Sequence, residues 1–494
     1  MSRFDGRYDV IVVGAGNAGL SAALEAVDRG ASVLVLERGK AEERGGNSRF
    51  TAGAVRFAFN GVDDLAELVP DMPAEELANV DFGTYPKEEF FNDIARVTKF
   101  RADPELADLL VSNSYDAMRF WHEKGVRFVP AYRRQAFKIE GRFKFWGGIV
   151  LETIGGGPGL VDALFQALEN AGGQIAYETR AVELLFDQKR VLGVRVAYDG
   201  EAIDVESGAV VLAAGGFQAN VDWRTRYLGS GWDLARVRGS WCNTGDGIRM
   251  ALDIGASPAG HWSGAHAVPW DLNAPEFGDL RVGDQFSKLS YPLGIMVNAD
   301  GHRFVDEGAD FRNFTYAKYG REIIAQPDNL AWQIFDDKTT GFLRDEYHIM
   351  QASRVRADTL EELVEKLDGV DPEGALATVR AYNEAVQDDV AFNPNIKDGK
   401  GTTGLEVPKS NWATKLDTPP YSAYAVTCGI TFTFGGLRID EQAQVIAHGG
   451  APIPGLYAAG ELVGGLFYHN YPGGSGLTAG TVFGRIAGEN STSE

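Results

Sequence analysis

Gly14, Gly16 and Gly19 form a G-x-G-x-x-G turn, and a carboxylate, Glu37, follows at the end of the next apolar run. That set of residues suits a dinucleotide. Gly14 permits the tight turn, Gly16 lets a pyrophosphate approach the backbone, and Gly19 lets helix and strand pack closely, while the acid can take the ribose hydroxyls. Asn17 and Ala18 fill the remaining motif positions and Arg38 follows the acid, so all three join the cofactor-binding assignment. The elements that must position these groups flank them. Val10–Val13 is a short apolar, β-branched run of the kind buried in a parallel sheet. A helix-forming run follows to Gly30, and a second apolar run from Ser32 to Leu36 ends at Glu37. Strand, helix and strand make a βαβ unit whose helix N-terminus faces the phosphates.

Further glycine-bearing stretches follow. Gly45, Gly46, Asn47 and Ser48 make a loop that can lay backbone amides along a flat ring system, or that can be an ordinary surface loop. Residues 60–150 are polar and aromatic, with helical patterning over Glu105–Lys124. Gly155–Gly159 opens a helix running to Asn170, but lacks both the final glycine and the preceding strand of a second nucleotide motif. Strands at Gln174–Glu178, Ala181–Phe186 and Val191–Tyr198 read as a meander, with Ala181 and Val182 assigned to the cofactor. Val210–Phe217 is a buried strand entering a turn at Ala214 and Gly215, and Thr244-Gly-Asp-Gly places Asp246 to meet a polar ligand. From His261 to Trp412 the glycine pairs thin and aromatics accumulate, the texture of an inserted domain. The dinucleotide texture returns at Ile430–Leu437, at Gly455–Glu461 and at Gly473–Gly480, which opens a last helix. The expected fold is α/β: a Rossmann-like domain of parallel sheet plus meander from 1–260 and 413–494, with an α+β capping domain over 261–412. A ligand would be clamped between them.

The 494 residues suffice for two or three domains, and a net charge of −22 disfavours nucleic acid and anionic lipid as partners. Cys242 and Cys428 are too few for a disulfide framework or an iron–sulfur cluster. His261 and His266 have no clustered carboxylates, which makes a poor metal site, so none is expected. No apolar run reaches membrane-spanning length, and the strand at Tyr8 leaves no room for a signal peptide. A cytoplasmic protein without a membrane span is the expectation.

Taken in order, the fingerprint with Glu37, Gly-Gly-Asn-Ser at 45–48, Ala-Ala-Gly-Gly at 213–216, Thr-Gly-Asp-Gly at 244–247, Gly-His-Arg-Phe-Val-Asp-Glu at 301–307 and Gly-Leu-Tyr-Ala-Ala-Gly-Glu at 455–461 resemble the flavoprotein family of fumarate reductases and succinate dehydrogenases. That family includes 3-ketosteroid dehydrogenases. Asp306-Glu-Gly-Ala-Asp-Phe-Arg, Asp417-Thr-Pro-Pro and Gly429-Ile-Thr-Phe-Thr look closest to its tricarballylate dehydrogenase branch. The resemblance implies FAD, with Gly14, Gly16, Gly19 and Glu37 on the ADP half and Gly46, Asn47 and Ser48 beside the isoalloxazine. Asp246, Gly460 and Glu461 fall by the sugar or ribityl chain, and Ser475, Gly476 and Leu477 by the flavin pyrimidine. Covalent members attach flavin through a His in the segment matching Gly45–Phe50; no His lies there, so FAD is expected to be non-covalent.

The implied chemistry is hydride transfer between a β-carbon and flavin N5, coupled to α-proton transfer next to a carbonyl or carboxylate. Its direction is expected to be dehydrogenation of a small organic acid (tricarballylate-like) or cyclic ketone, with fumarate- or enoate-type reduction as the alternative. Arg312 is the nearest match to the proton-donating Arg of fumarate reductases, one position off relative to Glu307, and is alternatively an interdomain ion pair. Tyr316 and Tyr319 follow it as candidate bases or as structural tyrosines. Where fumarate reductases carry a substrate-binding Arg, this chain has Tyr471 in a Tyr-Pro-Gly segment similar to 3-ketosteroid dehydrogenases, whose Tyr and a nearby backbone amide polarise a ketone. His469 is a candidate acid, carboxylate ligand or packing residue. With no haem or cluster ligands, electrons are expected to leave to a carrier protein, a quinone or oxygen.

Overall fold

The computed structural model describes Phe4, residues 6–139 and residues 141–493. Strand β1 (Tyr8–Val13) runs through the glycine turn into helix α1 (Asn17–Asp28), and β2 (Val33–Leu36) returns beside it in parallel. Val10, Ile11 and Val12 are wholly buried, as a strand covered on both faces requires. Helix α2 (Gly156–Asn170) leads to β3 (Gln174–Ala176), which pairs in parallel with β2. Strands β4 (Arg180–Phe186), β5 (Val191–Tyr198) and β6 (Glu201–Leu212) form an antiparallel meander; Gln174–Glu178, expected as its first strand, is instead the parallel β3, and β6 takes its place as the third. The second half of β6 then pairs in parallel with β1, giving the order β4-β5-β6-β1-β2-β3. Helix α3 (Asp246–Asp253) follows.

The second sheet is gathered around one long strand. Strands β7 (Arg236–Val237), β8 (Pro258–Asp271), β9 (Ile295–Asn298), β10 (Ala331–Phe335) and β11 (Arg354–Ala357) precede it, with helix α4 (Tyr316–Ile324) packed against β8. Strand β12 (Tyr421–Leu437) is parallel to β7 and antiparallel to β8, β10 and β11. This sheet crosses both boundaries expected from the sequence, because β7 lies before 261 and β12 after 412. The chain completes the first sheet with β13 (Gln444–Ile446) and β14 (Pro452–Ala458), the latter parallel to β6, and ends in helix α5 (Ser475–Ser491) packed on α1. One hydrophobic core runs from Val10–Val12 through Ala267 and Ile430 to Tyr471, so the two sheets are built on shared packing.

Between β2 and α2 the chain forms two small three-stranded sheets and several helices. The helical pattern expected over 105–124 is two helices, Pro104–Ser112 and Ser114–Glu123, broken at Asn113. Asp103 caps the first by accepting from the N–H groups of Glu105 and Leu106.

Candidate active site

A single cavity runs from the glycine turn, past Glu37 and the 46–48 loop, to Arg312, Tyr316 and Tyr471. Gly14 has φ +103°, and a Cβ there would sit 2.5 Å from the Ala213 carbonyl oxygen; a Cβ on Gly19 would sit 1.9 Å from the Gly14 carbonyl oxygen. Gly19 thus acts through helix–strand packing, without itself lining the cavity, while Gly14, Gly16, Asn17 and Ala18 line it. The buried Glu37 carboxylate accepts from the N–H groups of Gly39 (2.7 Å) and Ala15 (3.3 Å), and burial pushes its pKa up. Among the described residues no cation pairs with it, which suits an acceptor for ribose hydroxyls.

The polar side chains beyond it serve mainly to knit loops together. Asn47 donates to the Thr431 carbonyl (2.6 Å) and accepts from Ser240 N–H (2.9 Å), and Ser48 Oγ accepts from Asn17 N–H (3.0 Å). Asp246 is gripped by Arg180 through two 2.9 Å hydrogen bonds and touched by Arg38. Against the effect of burial, the Arg180 and Arg38 guanidiniums hold its carboxyl below the usual range. Arg38, Gly46, Ala181, Ala214, Gly215 and Asp246 line the cavity; Gly45 and Val182 do not. Burial raises Glu461 to about 7, although Thr433 N–H (2.9 Å), Gln218 (3.2 Å) and Asn243 (3.3 Å) donate to it. Gly460, Glu461, Gly476 and Leu477 line the cavity, whereas Ser475 turns its hydroxyl to the Pro472 carbonyl.

At the far end Tyr316, from the start of α4, and Tyr471, from the loop before α5, share a hydroxyl–hydroxyl hydrogen bond. Two ties hold these segments together, and a third braces the loop. Asn470 donates to the Phe314 carbonyl (2.7 Å), Gly473 N–H donates to the Asn313 carbonyl (2.8 Å), and the wholly buried Arg56 donates to the Gly473 carbonyl (2.7 Å). Burial raises the pKa of both tyrosines. Tyr471 is pulled back by the Tyr316 hydroxyl, Arg238 and Gly474 N–H, so it is the member better able to hold negative charge. His266, from β8, packs on both rings at 4.9 and 4.8 Å. Both its nitrogens are buried without a partner, and burial, aided by Arg238, keeps the ring neutral. Arg238 pairs with Asp284 at 2.6 Å.

Two sequence candidates fall elsewhere. His469 lies outside the cavity: its backbone adopts φ +62°, its N–H donates to His261 Nδ1 (3.0 Å), and its ring faces that imidazole at 4.8 Å. Tyr319 turns its hydroxyl to the Asp306 carbonyl, also away from the cavity. Sequence reasoning missed Arg56, Arg134, Arg238, Asp284 and Arg344, and gave His266 little weight. No local spacing marks them, since they come from separate elements. Among the described residues no group of His, Cys, Asp and Glu could hold a metal ion, and no helix is long and apolar enough to cross a membrane.

A glycine turn between two parallel strands, with a buried carboxylate at the end of the second, is a dinucleotide-binding scaffold. The family described as FAD binding domain matches residues 9–477. The chain belongs to this family, and FAD is the cofactor its cradle fits. It is 31% identical to the probable fumarate reductase Ifc3 of Shewanella frigidimarina (strain NCIMB 400), over 97% of this chain and 74% of that one. It is 27% identical to the 4-oxocyclohexanecarboxylate 2-dehydrogenase of Sinomonas cyclohexanicum, over 98% and 93%. Identity to the NADH:fumarate oxidoreductase of Klebsiella pneumoniae (strain 342) is 29% over 97% of this chain, which spans only 47% of that relative. Among solved structures, the open conformation of a flavocytochrome c3 fumarate reductase superposes with TM-score 0.72 at 27% identity, covering 99% of this chain and 78% of the other. The 3-ketosteroid delta1-dehydrogenase from Sterolibacterium denitrificans superposes with TM-score 0.74 at 23% identity, covering 99% of each.

Proposed function

We propose that this chain is an FAD-dependent dehydrogenase that introduces a carbon–carbon double bond α,β to the carbonyl of a small cyclic ketone or organic acid. The Tyr316–Tyr471 pair carries the reading, because Tyr471, standing in sequence for the substrate-binding arginine of fumarate reductases, is a neutral donor hydrogen-bonded to Tyr316. FAD, when bound, supplies a two-electron acceptor for the β-hydrogen. The chain's own groups do the rest. The Tyr471 hydroxyl, with Gly474 N–H beside it, donates to the substrate carbonyl and stabilises enolate character. To take the α-proton the hydrogen-bonded pair first releases one proton to solvent, leaving a phenolate whose charge Arg238 offsets; the substrate's α-proton then restores the neutral pair. Phe432 and Phe467 wall the site and limit water.

The relative named for dehydrogenation of 4-oxocyclohexanecarboxylate supports a cyclic ketone over a tricarballylate-like acid. The reductase reading draws on Arg312, a buried cavity-lining cation that can deliver a proton to an enoate. Because Gly45–Phe50 holds no His, the flavin is held without a covalent bond, and acid precipitation should release it to the supernatant. Electrons then pass to a separate carrier protein, a quinone or oxygen. The deciding experiment is anaerobic bleaching of the flavin band by saturated ketones, succinate and tricarballylate. Bleaching by a ketone supports the proposal. Reoxidation of reduced enzyme by an unsaturated acid, with no bleaching by any saturated compound, overturns it.

A further inference from the structure

Four guanidiniums converge at the tyrosine end of the cavity, those of Arg134, Arg238, Arg312 and Arg344. Three carboxylates answer them. Asp284 pairs with Arg238 (2.6 Å), Glu346 pairs with Arg344 (2.6 Å) and Arg134 (2.8 Å), and Glu152 pairs with Arg134 (3.4 Å). Arg312 has no such partner: among the described residues it makes no ion pair, and it donates only to the Arg134 carbonyl (2.6 Å). It is 8% exposed. Arg344 spends Nε and Nη2 on Glu346, while its Nη1 is buried with no partner. A buried cation short of counter-charge and a buried donor short of an acceptor both cost free energy. Burial and the neighbouring Arg344 lower the Arg312 pKa to about 9, the sign of a site deficient in negative charge.

The same three arginines, Arg134, Arg312 and Arg344, also line a second cavity walled by Phe137, Trp146, Phe311, Phe342 and Trp412. Trp146 stacks on Phe311 at 5.3 Å, and Phe342 is 47% exposed, so this aromatic vestibule reaches the surface. The guanidiniums therefore stand between the vestibule and the tyrosine pair.

Resting on the carbonyl reading of Tyr471 above, we infer that the substrate is a keto acid with a single carboxylate, its carbonyl at Tyr471 and its carboxylate between Arg312 and Nη1 of Arg344. One carboxylate balances the one uncompensated guanidinium and fills the vacant donor. A di- or tricarboxylate brings charge that the cluster has already neutralised internally, and a neutral ketone leaves Arg312 unanswered.

The test titrates oxidised holoenzyme at fixed ionic strength with 4-oxocyclohexanecarboxylate, cyclohexanone, cyclohexanecarboxylate and tricarballylate, reading the flavin spectrum. The keto acid should bind about tenfold or more tighter than cyclohexanone and tighter than either carbonyl-free acid. Arg312→Gln should collapse the preference for keto acid over cyclohexanone, and Arg312→Lys should restore part of it. Equal affinity for charged and uncharged ketone in the native protein overturns the inference, as does a preference that Arg312→Gln leaves intact. Should Arg312→Gln fail to fold, the native ligand panel decides alone. The two readings fail separately. Bleaching by cyclohexanone without charge preference sinks the carboxylate site and keeps the dehydrogenase; keto-acid preference without bleaching sinks the dehydrogenase and keeps the site.

Discussion

Tyr316 and Tyr471 stand 155 positions apart in sequence, yet share one hydroxyl–hydroxyl hydrogen bond in a fully buried site. The pair is asymmetric, since Gly474 N–H acts on Tyr471, whereas the Tyr471 hydroxyl pushes the pKa of Tyr316 up. Tyr471→Phe should therefore lower kcat by about a hundredfold or more, the usual effect of losing one oxyanion donor. Tyr316→Phe should also lower kcat about a hundredfold, as expected for a lost proton-transfer group. Both variants should keep their flavin. Rapid-reaction flavin reduction checks this, and native rates in either variant would remove that hydroxyl from the mechanism.

Arg238 tests the electrostatics of the pair without touching its hydroxyls. Its charge lowers the pKa of both tyrosines, and Asp284 holds it in place. Replacing Arg238 alone would strand the buried Asp284, so the informative variant is Arg238→Gln with Asp284→Asn. The rise of kcat with pH should move to higher pH in the double variant. An unmoved profile would mean that Arg238 supports the fold alone.

Glu37 should matter to cofactor retention more than to turnover. Its carboxylate is buried, draws only on backbone N–H groups and lines the cavity opposite the glycine turn. Glu37→Gln keeps the volume and removes the strong acceptor, and should weaken FAD about tenfold. Equilibrium dialysis against free FAD measures this, and an unchanged dissociation constant would break the ribose assignment.

What could be read from the sequence was what is local in it. The turn at Gly14–Gly19, the strands around it and the acid at Glu37 sit within a single βαβ unit, so their spacing carries their geometry. The tyrosine end of the cavity is assembled differently. Arg56, Arg134, Arg238 and Arg344 arrive from four distant segments and acquire meaning through partners such as Gly473, Glu346 and Asp284. His469 shows the converse error. It lies two positions from Tyr471, but the left-handed turn at φ +62° directs it to His261. Composition changes at Trp412, whereas the hydrogen bonds of β12 reach back to β8 and β10, pairings that no local texture announces.

Glu461 gives a pH signature independent of turnover. Burial raises its folded pKa to about 7, above the 4.5 of a free glutamate. Between those values the folded chain retains a proton that the unfolded chain has released. Stability therefore falls as pH rises through that window and levels off above about 7. The full difference corresponds to about 3 kcal/mol. Glu461→Gln keeps a hydrogen-bonding group without the titration, so its stability should lack this decline. Denaturant midpoints of the native chain and the variant, compared from pH 4.5 to 8, measure the effect. Parallel curves would mean that Thr433, Gln218 and Asn243 already hold the carboxylate charged at pH 5.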